Sequence, residues 1–394
     1  MLGPEFCTRP RGARSRGAAL TFVFASVLLA AAVTDRLPHE ENPPERSVAR
    51  AVPGSGAGRG EVDQRELARA AAEAMADGKS GAKAAEEVVS RSGDRWGVVY
   101  DQREYEEFEQ ALDGRYTGVG LSARRAADGR IEVARVQGGG PAARAGLRAG
   151  DRIRTVDGRR VDGRSAAEVV ALLRGEGAEP GSPVAVGVQR GTRAWTETLR
   201  RASLATEDVT VQRLSGGALR IKVAAFTKGT GLRVRDAVRG APEGAGVLLD
   251  LRGNGGGLVT EAVTAASAFL DGGLVATYDV HGKDRALYAQ PGGDTGRPLV
   301  ALVDGGTMSA AELLAGALKD RGRAVTVGAR TFGKGAVQLP SRLPDGSVAE
   351  LTVGHYRTPA GHGVDGRGIV PDVVVADRAE ERARTVLSGL GGRS

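Results

Sequence analysis

The 394 residues are enough for two or three domains, and 41% hydrophobic with 26% charged residues is a globular composition, which excludes a wholly disordered or collagen-like chain. One cysteine, Cys7, excludes an intrachain disulfide framework and a Cys-cluster metal site, and four histidines (His39, His281, His355 and His362) leave little for a His-rich metal centre or a Ser-His-Asp triad. The net charge is +7, with four arginines against one glutamate in residues 1–32, and aromatics make up 4%; without a basic block or stacking residues, nucleic acid is not an expected partner.

Residues 1–33 read as a signal peptide or membrane anchor. Arg9, Arg11, Arg14 and Arg16 precede an uncharged apolar run, 17–33, with an A-x-A cleavage pattern at Ala30-Ala31-Ala32. The run spans about 26 Å as a helix, against a bilayer core of about 30 Å, so a cleaved signal and a retained tether both stay open. The arginines would remain cytoplasmic and the rest of the chain extracytoplasmic. Cys7 precedes the apolar run and is not placed as a lipoprotein acylation site. A buried core helix is the alternative, but nothing amphipathic flanks the run.

Pro38, Pro43, Pro44 and Pro53 among Gly, Ser and Arg mark 34–60 as a flexible linker. From Glu61 the spacing turns helical: Leu67, Ala71, Ala74 and Met75 share a face until Gly78. Further helices are expected over about 81–91 and 102–112, the second carrying Tyr105, Phe108 and Leu112, so 61–114 is a small helical region. Through 115–200 short β runs take over at 118–122, 131–136, 152–156 and 184–189, with a short helix from Pro141 to Gly146 and another over about 165–173. This order, with Gly118-Val119-Gly120-Leu121, Gly150-Asp151-Arg152-Ile153 and Val156-Asp157-Gly158, resembles a PDZ domain. In that reading the N–H groups of 118–121 hold a peptide's terminal carboxylate while the peptide adds as a strand beside the 165–174 helix. A small β-barrel without a ligand is the alternative.

Residues 204–376 alternate strands and helices: strands at 247–251, 299–303, 324–327 and 348–355, helices at 258–270 and 308–320. The pattern predicts an α/β layered core over 201–378. Beyond Arg378 a polar terminal helix runs into a Gly-rich tail, making up 379–394.

Three segments of that core carry chemistry. Asp250-Leu-Arg252-Gly-Asn254-Gly-Gly256-Gly257-Leu258 turns a buried strand into a helix, and its glycines present N–H groups suited to an anion or oxyanion; a tight turn is the bland reading. No Gly-Lys-Ser/Thr follows, so a phosphate loop is disfavoured. Asp304-Gly-Gly306-Thr-Met-Ser309-Ala310-Ala-Glu312 places Ser309 at a helix start, where helix capping is the commoner fate of a serine. There the dipole also favours developing negative charge, with the Ala310 N–H as donor. Arg330-Thr331-Phe-Gly333-Lys334-Gly335-Ala-Val-Gln338 places a lysine between small residues, where desolvation yields a neutral amine able to act as base; a solvated loop lysine is the alternative. Gln338, four residues on, is within reach to orient that amine.

Together, in this order, the three segments resemble the C-terminal processing peptidases, serine proteases with a PDZ domain ahead of the catalytic core. Ile221-Lys-Val-Ala-Ala-Phe226, Tyr356-Arg-Thr-Pro359-Ala-Gly361 and Gly366-Arg-Gly368-Ile369-Val-Pro371-Asp372 extend the likeness over roughly 61–376. The resemblance implies an α/β chain, α+β across its domains, with a layered protease core of crotonase-like type. It implies Ser309 as nucleophile, Lys334 as general base, Gln338 as third member, and Gly256 with Ala310 as the oxyanion hole. It also implies no cofactor and no metal, protein or peptide C-termini as substrates, and recruitment or gating by the PDZ domain. His355 and His362 are read as non-ligands. A membrane tether through 17–33 and a homo-oligomer are left open. Asp304 stands where the family often has Asn, and Met308 where it usually has Ala. A non-catalytic binding protein on the same fold and an acyl-CoA enzyme of the crotonase type are the rival functions. The first is opposed by the intact Ser309, Lys334 and Gln338, the second by the PDZ-like segment.

Overall fold

The computed structural model describes residues 62–280 and 283–391. The expected targeting segment 1–33, the linker 34–60, Cys7, His39, His281 and the last three residues of the tail lie outside them. Among the described residues no helix is long and apolar enough to cross a membrane, and no group of three or more His, Cys, Asp or Glu is placed to hold a metal ion. The described residues divide into two compact units, Thr117–Leu204 and the flanking segments 62–116 with 205–391.

The chain starts with α1 (Gln64–Ala76), α2 (Gly81–Ser92), β1 (Val98–Tyr100) and α3 (Gln102–Leu112). Asp101 caps α3 in a reciprocal box with Glu104, which satisfies two backbone N–H groups that the first turn would otherwise leave without partners. The expected face of α3 is buried: Tyr105, Phe108 and Leu112 cluster with Leu258 and Val348 of the later core.

The unit from Thr117 to Leu204 is β-rich. It begins in β2 (Arg115–Gly118), followed by β3 (Leu121–Arg125), β4 (Ile131–Val136), α4 (Pro141–Arg144), β5 (Arg152–Val156), β6 (Arg159–Arg160), α5 (Ala166–Arg174), β7 (Pro183–Arg190) and β8 (Arg193–Arg200), and leaves through β9 (Ala202–Ala205). The order β3-β4-β5-β7-β8 makes β3 an edge strand, and α5 packs along it. The single run expected at 118–122 is divided, because Gly120 takes φ +75°, a left-handed conformation that breaks the extended path. Residues 118–120 are buried, and a Cβ on Gly120 would come within 3.3 Å of Leu204 Cδ1.

The second unit continues with β10 (Val209–Arg213), β11 (Leu219–Val223), α6 (Thr230–Arg239), β12 (Val247–Asp250), α7 (Val259–Ala266), β13 (Leu274–Val280), β14 (Lys283–Tyr288), β15 (Leu299–Val303), α8 (Ala310–Asp320), β16 (Val325–Gly328), β17 (Ala336–Arg342), β18 (Val348–Arg357), β19 (Val373–Val374) and α9 (Ala379–Gly391). One sheet runs β10-β11-β12-β15-β16-β19, parallel from β11 onward. Its central strands are apolar throughout because both faces are covered. Val247 and Leu249 pack with α6, α7 and α8, while Leu248, Val300 and Leu302 face Ala383 and Leu387 of α9. A second sheet orders β1-β18-β13-β14, with β17 also paired to β18. Residues of both sheets join α8 in one core, and every residue of α8 from Ala310 to Leu318 is buried, as its nearly all-apolar sequence requires.

Candidate active site

The three segments singled out in the sequence leave the carboxyl ends of three neighbouring parallel strands. The glycine loop follows β12, Ser309 follows β15, and Lys334 follows β16, with β12 paired to β15 and β15 to β16. Loops at the same end of adjacent parallel strands converge above the sheet edge, where open α/β sheets bind ligands.

Ser309 stands at the N-cap of α8 with φ +58°. A serine that only caps a helix takes extended backbone; the left-handed conformation of a non-glycine residue is strained and is held here by its surroundings. Those surroundings are a carboxylate and a phenol. The Glu312 carboxylate accepts from the Ser309 N–H (2.9 Å), the Lys334 N–H (2.9 Å), the Gly333 N–H (2.7 Å) and the Thr331 hydroxyl. The Tyr356 hydroxyl shares its proton between the carbonyls of Ser309 (2.8 Å) and Lys334 (2.9 Å). Two side chains therefore tie the backbone of Ser309 to that of Lys334. Burial raises the Glu312 carboxyl above its ordinary range, against the pull of its four donors, and holds the Tyr356 phenol well above its usual value, so it stays a donor.

Lys334 is 2% exposed and its Nζ lies 5.5 Å from the centre of the Trp96 ring. Desolvation lowers its pKa to about 8, against the opposing pull of Glu350, Asp94 and Asp365. A cation over an aromatic face is favoured, so Trp96 gives the ammonium some of what burial removes. Trp96 is itself held: its Nε1–H donates to Asp365 (2.9 Å), and its ring meets that of Phe332 at 5.8 Å.

The glycine loop reaches Ser309 through Gly256. At φ +99°, a Cβ there would stand 2.8 Å from Ser309 Cβ and 3.2 Å from its Oγ, so only glycine fits without displacing the serine. The loop is pinned by Asn254, whose Nδ2 donates to Val223 O (3.0 Å) and whose carbonyl accepts from the Met308 N–H (2.9 Å). Below it, Asp250 is fully buried between Arg220 and Arg252, and Arg252 also reaches Glu380 of α9 at 3.1 Å. Asp304 Oδ1 accepts from the N–H groups of Gly253 and Gly306, both at 2.9 Å. An asparagine oxygen would do the same, which accounts for the exchange at that position.

Two expectations meet different geometry. The Gly256 N–H, expected at the oxyanion hole, is bonded to Asn254 Oδ1 at 2.8 Å. Gln338, expected to orient the lysine amine, instead donates from Nε2 to the carbonyls of Trp96 (2.6 Å) and Glu350 (3.3 Å), and its Oε1 accepts from no described protein group. A register shift falls between Val337 and Gln338 in the β17–β18 pairing. His355 and His362 are exposed on the surface, 3.8 Å from Asp365 and 4.0 Å from Asp320.

Sequence reasoning did not single out Glu312, Tyr356, Trp96 or Glu350. Glu312 carried a readable signal, the Ser-x-x-Glu spacing of a capping box from 309 to 312. Glu312→Gln should lower kcat about tenfold or more with little change in KM, because an NH₂ would replace one oxygen and leave at least one backbone donor, Gly333 or both Ser309 and Lys334, without its acceptor, each left-over buried N–H costing about 1–3 kcal/mol. Steady-state kinetics on the variant, with its melting temperature as control, check this.

The peptidase family S41 model matches residues 218–375, and a PDZ domain model matches residues 132–190. The core, residues 218–375, is that of peptidase family S41. The chloroplastic C-terminal processing peptidase of Tetradesmus obliquus is 39% identical over 280 residues, covering 66% of this chain and 60% of that protein. The carboxy-terminal processing protease CtpA of Bacillus subtilis is 31% identical over 291 residues, covering 73% of this chain and 62% of that protein. The chain thus spans about three-fifths of the length of these relatives. Among solved structures, a photosystem II D1 C-terminal processing protease aligns with a TM-score of 0.50 at 29% identity, over 85% of this chain and 94% of that one. The S41 match takes in Ser309, Lys334 and Gln338, and its likeness to C-terminal processing proteases agrees with the resemblance drawn from the three segments.

Proposed function

We propose that this chain is an exported serine endopeptidase that cuts proteins near their C-termini through an acyl-enzyme. The observation that carries the reading is the double tie between Ser309 and Lys334 through Glu312 and Tyr356, with the lysine amine depressed by burial to about 8. Neutral Lys334 takes the Ser309 hydroxyl proton as Oγ attacks the scissile carbonyl. The tetrahedral intermediate collapses, and the lysine ammonium returns that proton to the departing amine. Lys334 then takes a proton from water as it attacks the ester, and Ser309 leaves protonated. The oxyanion is assigned to the Ala310 N–H at the first turn of α8 and to the glycine loop; Gly256 serves once its N–H exchanges Asn254 for substrate. Gln338 Oε1, which accepts from no described protein group, is assigned as an acceptor for the ammonium form of Lys334, a role that requires the side chain to turn toward the amine. Ser309 is 0% exposed, so substrate entry requires the residues around it to shift.

Chemistry is placed in 201–378 and recruitment in the PDZ unit, 115–200, where edge strand β3 beside α5 offers unpaired backbone to a peptide, with Gly118, Val119, Gly120 and Leu121 at its head. Export through residues 1–33 rests on the basic and apolar pattern of that segment. The test is incubation of the protein with an unfolded substrate bearing an apolar tail, with product masses mapped. Fragments from a cut near the C-terminus are expected, and the free-acid tail should be cut at least about tenfold faster than its amidated twin. Equal rates remove the carboxylate-reading role of 118–121; no cleavage under any condition removes the peptidase.

A further inference from the structure

Among the buried ionisable groups that the proposed mechanism does not use is Glu350. Glu350 lies on β18 opposite Val98 of β1 and Pro340 of β17, and it is 0% exposed. Neither of its carboxyl oxygens accepts a hydrogen bond from any described protein group. Buried carboxylates are costly unless paired or hydrogen-bonded, so this one is unusual, and its surroundings connect it to the base. The Gln338 amide donates both to the Glu350 carbonyl and to that of Trp96, the residue whose ring faces the Lys334 amine.

The acids acting on Lys334 are Glu350, Asp94 and Asp365, in falling order, with Glu312 bonded to its backbone N–H. Asp94 is already engaged by the N–H groups of Trp96, Gly97 and Thr352 and by the Thr352 hydroxyl. Asp365 accepts from the Trp96 indole and the Gly335 N–H and faces His355. Glu350 has no such donors. Around it stand Glu109 and Tyr105 of α3 and Tyr100 of β1, with Arg342 of β17 over the Tyr105 ring. Lys334 is the cation that acts on it. A negative charge that local donors do not offset is felt most by the nearest cation in the same dry compartment.

We propose that Glu350 is a positioning residue for catalysis: its buried carboxylate governs the protonation of Lys334, holding the base as an ammonium and restraining cleavage around neutral pH. The proposal rests on the reading of Lys334 as base. Burial lifts the Glu350 carboxyl to about 7 and lowers the Lys334 amine to about 8, so both groups change charge over the same span of pH. The two titrations oppose each other: an ionised Glu350 raises the lysine pKa and moves the active, neutral amine to higher pH.

The test is the pH profile of kcat/KM, from about pH 5 to about pH 10, for the wild type, Glu350→Gln and Glu350→Asp. Removing the charge should lower the midpoint of the rising limb by about one unit, with about tenfold more activity below it. Glu350→Asp, which keeps the charge, should stay near the wild type. A Glu350→Gln midpoint that is unchanged or higher overturns the proposal. If that variant does not fold, Glu350→Met, of similar length and without charge, takes its place. A direct titration of the Lys334 side chain by NMR in a Ser309→Ala background measures the coupling without turnover: the lysine midpoint must fall when Glu350 is neutralised. A wild type with no cleavage at any pH would instead count against the peptidase reading, and the NMR titration would still decide the coupling.

Discussion

Ser309→Ala is expected to reduce cleavage by about 10⁴-fold or more, since no other group can form the acyl-enzyme and loss of a nucleophile removes most of such an enzyme's rate. Stability should hold or rise slightly. Alanine keeps the backbone N–H and carbonyl that Glu312 and Tyr356 grip. The left-handed φ of +58° remains, so part of the strain stored at this position stays in the variant. Binding of a free-acid tail should survive, because recruitment is assigned to the PDZ unit. The measurements are single-turnover cleavage followed by mass, and tail binding by fluorescence anisotropy. Wild-type cleavage by the variant would end the serine mechanism. Lost binding together with lost cleavage would move recruitment into the protease core.

What is legible in the sequence follows from how local each signal is. The strands at 299–303 and 131–136 are found where their apolar patterns place them, because burial of a short run is written in the run itself. The helix expected from 308 begins at Ala310, because the left-handed Ser309 interrupts its first turn. Strand β17 has no counterpart among the expected elements: Pro340 lowers a strand's signal, and the structure admits it because β17 pairs on one side only, with β18. The hairpin of β13 and β14 is absent from them for a related reason, since its half-exposed strands mix charges with aromatics and show no clean alternation. At the site, Ser309 and Lys334 stand out because each sits in a glycine-flanked turn after an apolar strand. Trp96 cannot be found that way: it meets Gln338 across 242 residues of chain, and no local pattern records such a contact. Glu350 is visible only as a charge in the run Val348-Ala-Glu-Leu-Thr-Val, where a half-exposed strand would place it on the solvent side. Tertiary context decides otherwise: β18 is a central strand, and Tyr105 and Glu109 of α3 with Tyr100 of β1 stand around the Glu350 side chain.

Lys334→Arg should be inactive from neutral to strongly alkaline pH, which separates a base from a fixed positive charge. With its pKa lowered to about 8, the wild-type lysine is neutral in about a tenth of molecules at about pH 7 and in about nine-tenths at about pH 9. The neutral amine is the competent form. Activity should therefore rise with pH through about 8 and level off above it, the opposite of a profile governed by a histidine that must stay protonated. Arginine keeps a cation over Trp96 but cannot give up its proton at any accessible pH. It also brings a larger planar group into a compartment where Lys334 is almost wholly buried, so Lys334→Met is the companion variant: similar in length, uncharged and unable to take a proton. Both variants should lose about 10³-fold or more in kcat, toward the upper end of what a positioned base supplies. Lys334→Met should retain or gain stability, because it removes a desolvated amine, whereas Lys334→Arg should lose some through overpacking. Paired pH–rate profiles and thermal melts distinguish these cases. An arginine variant that works would show that Lys334 supplies only charge. A methionine variant that works would show that the proton of Ser309 goes elsewhere, and the assignment of Lys334 as base would be withdrawn.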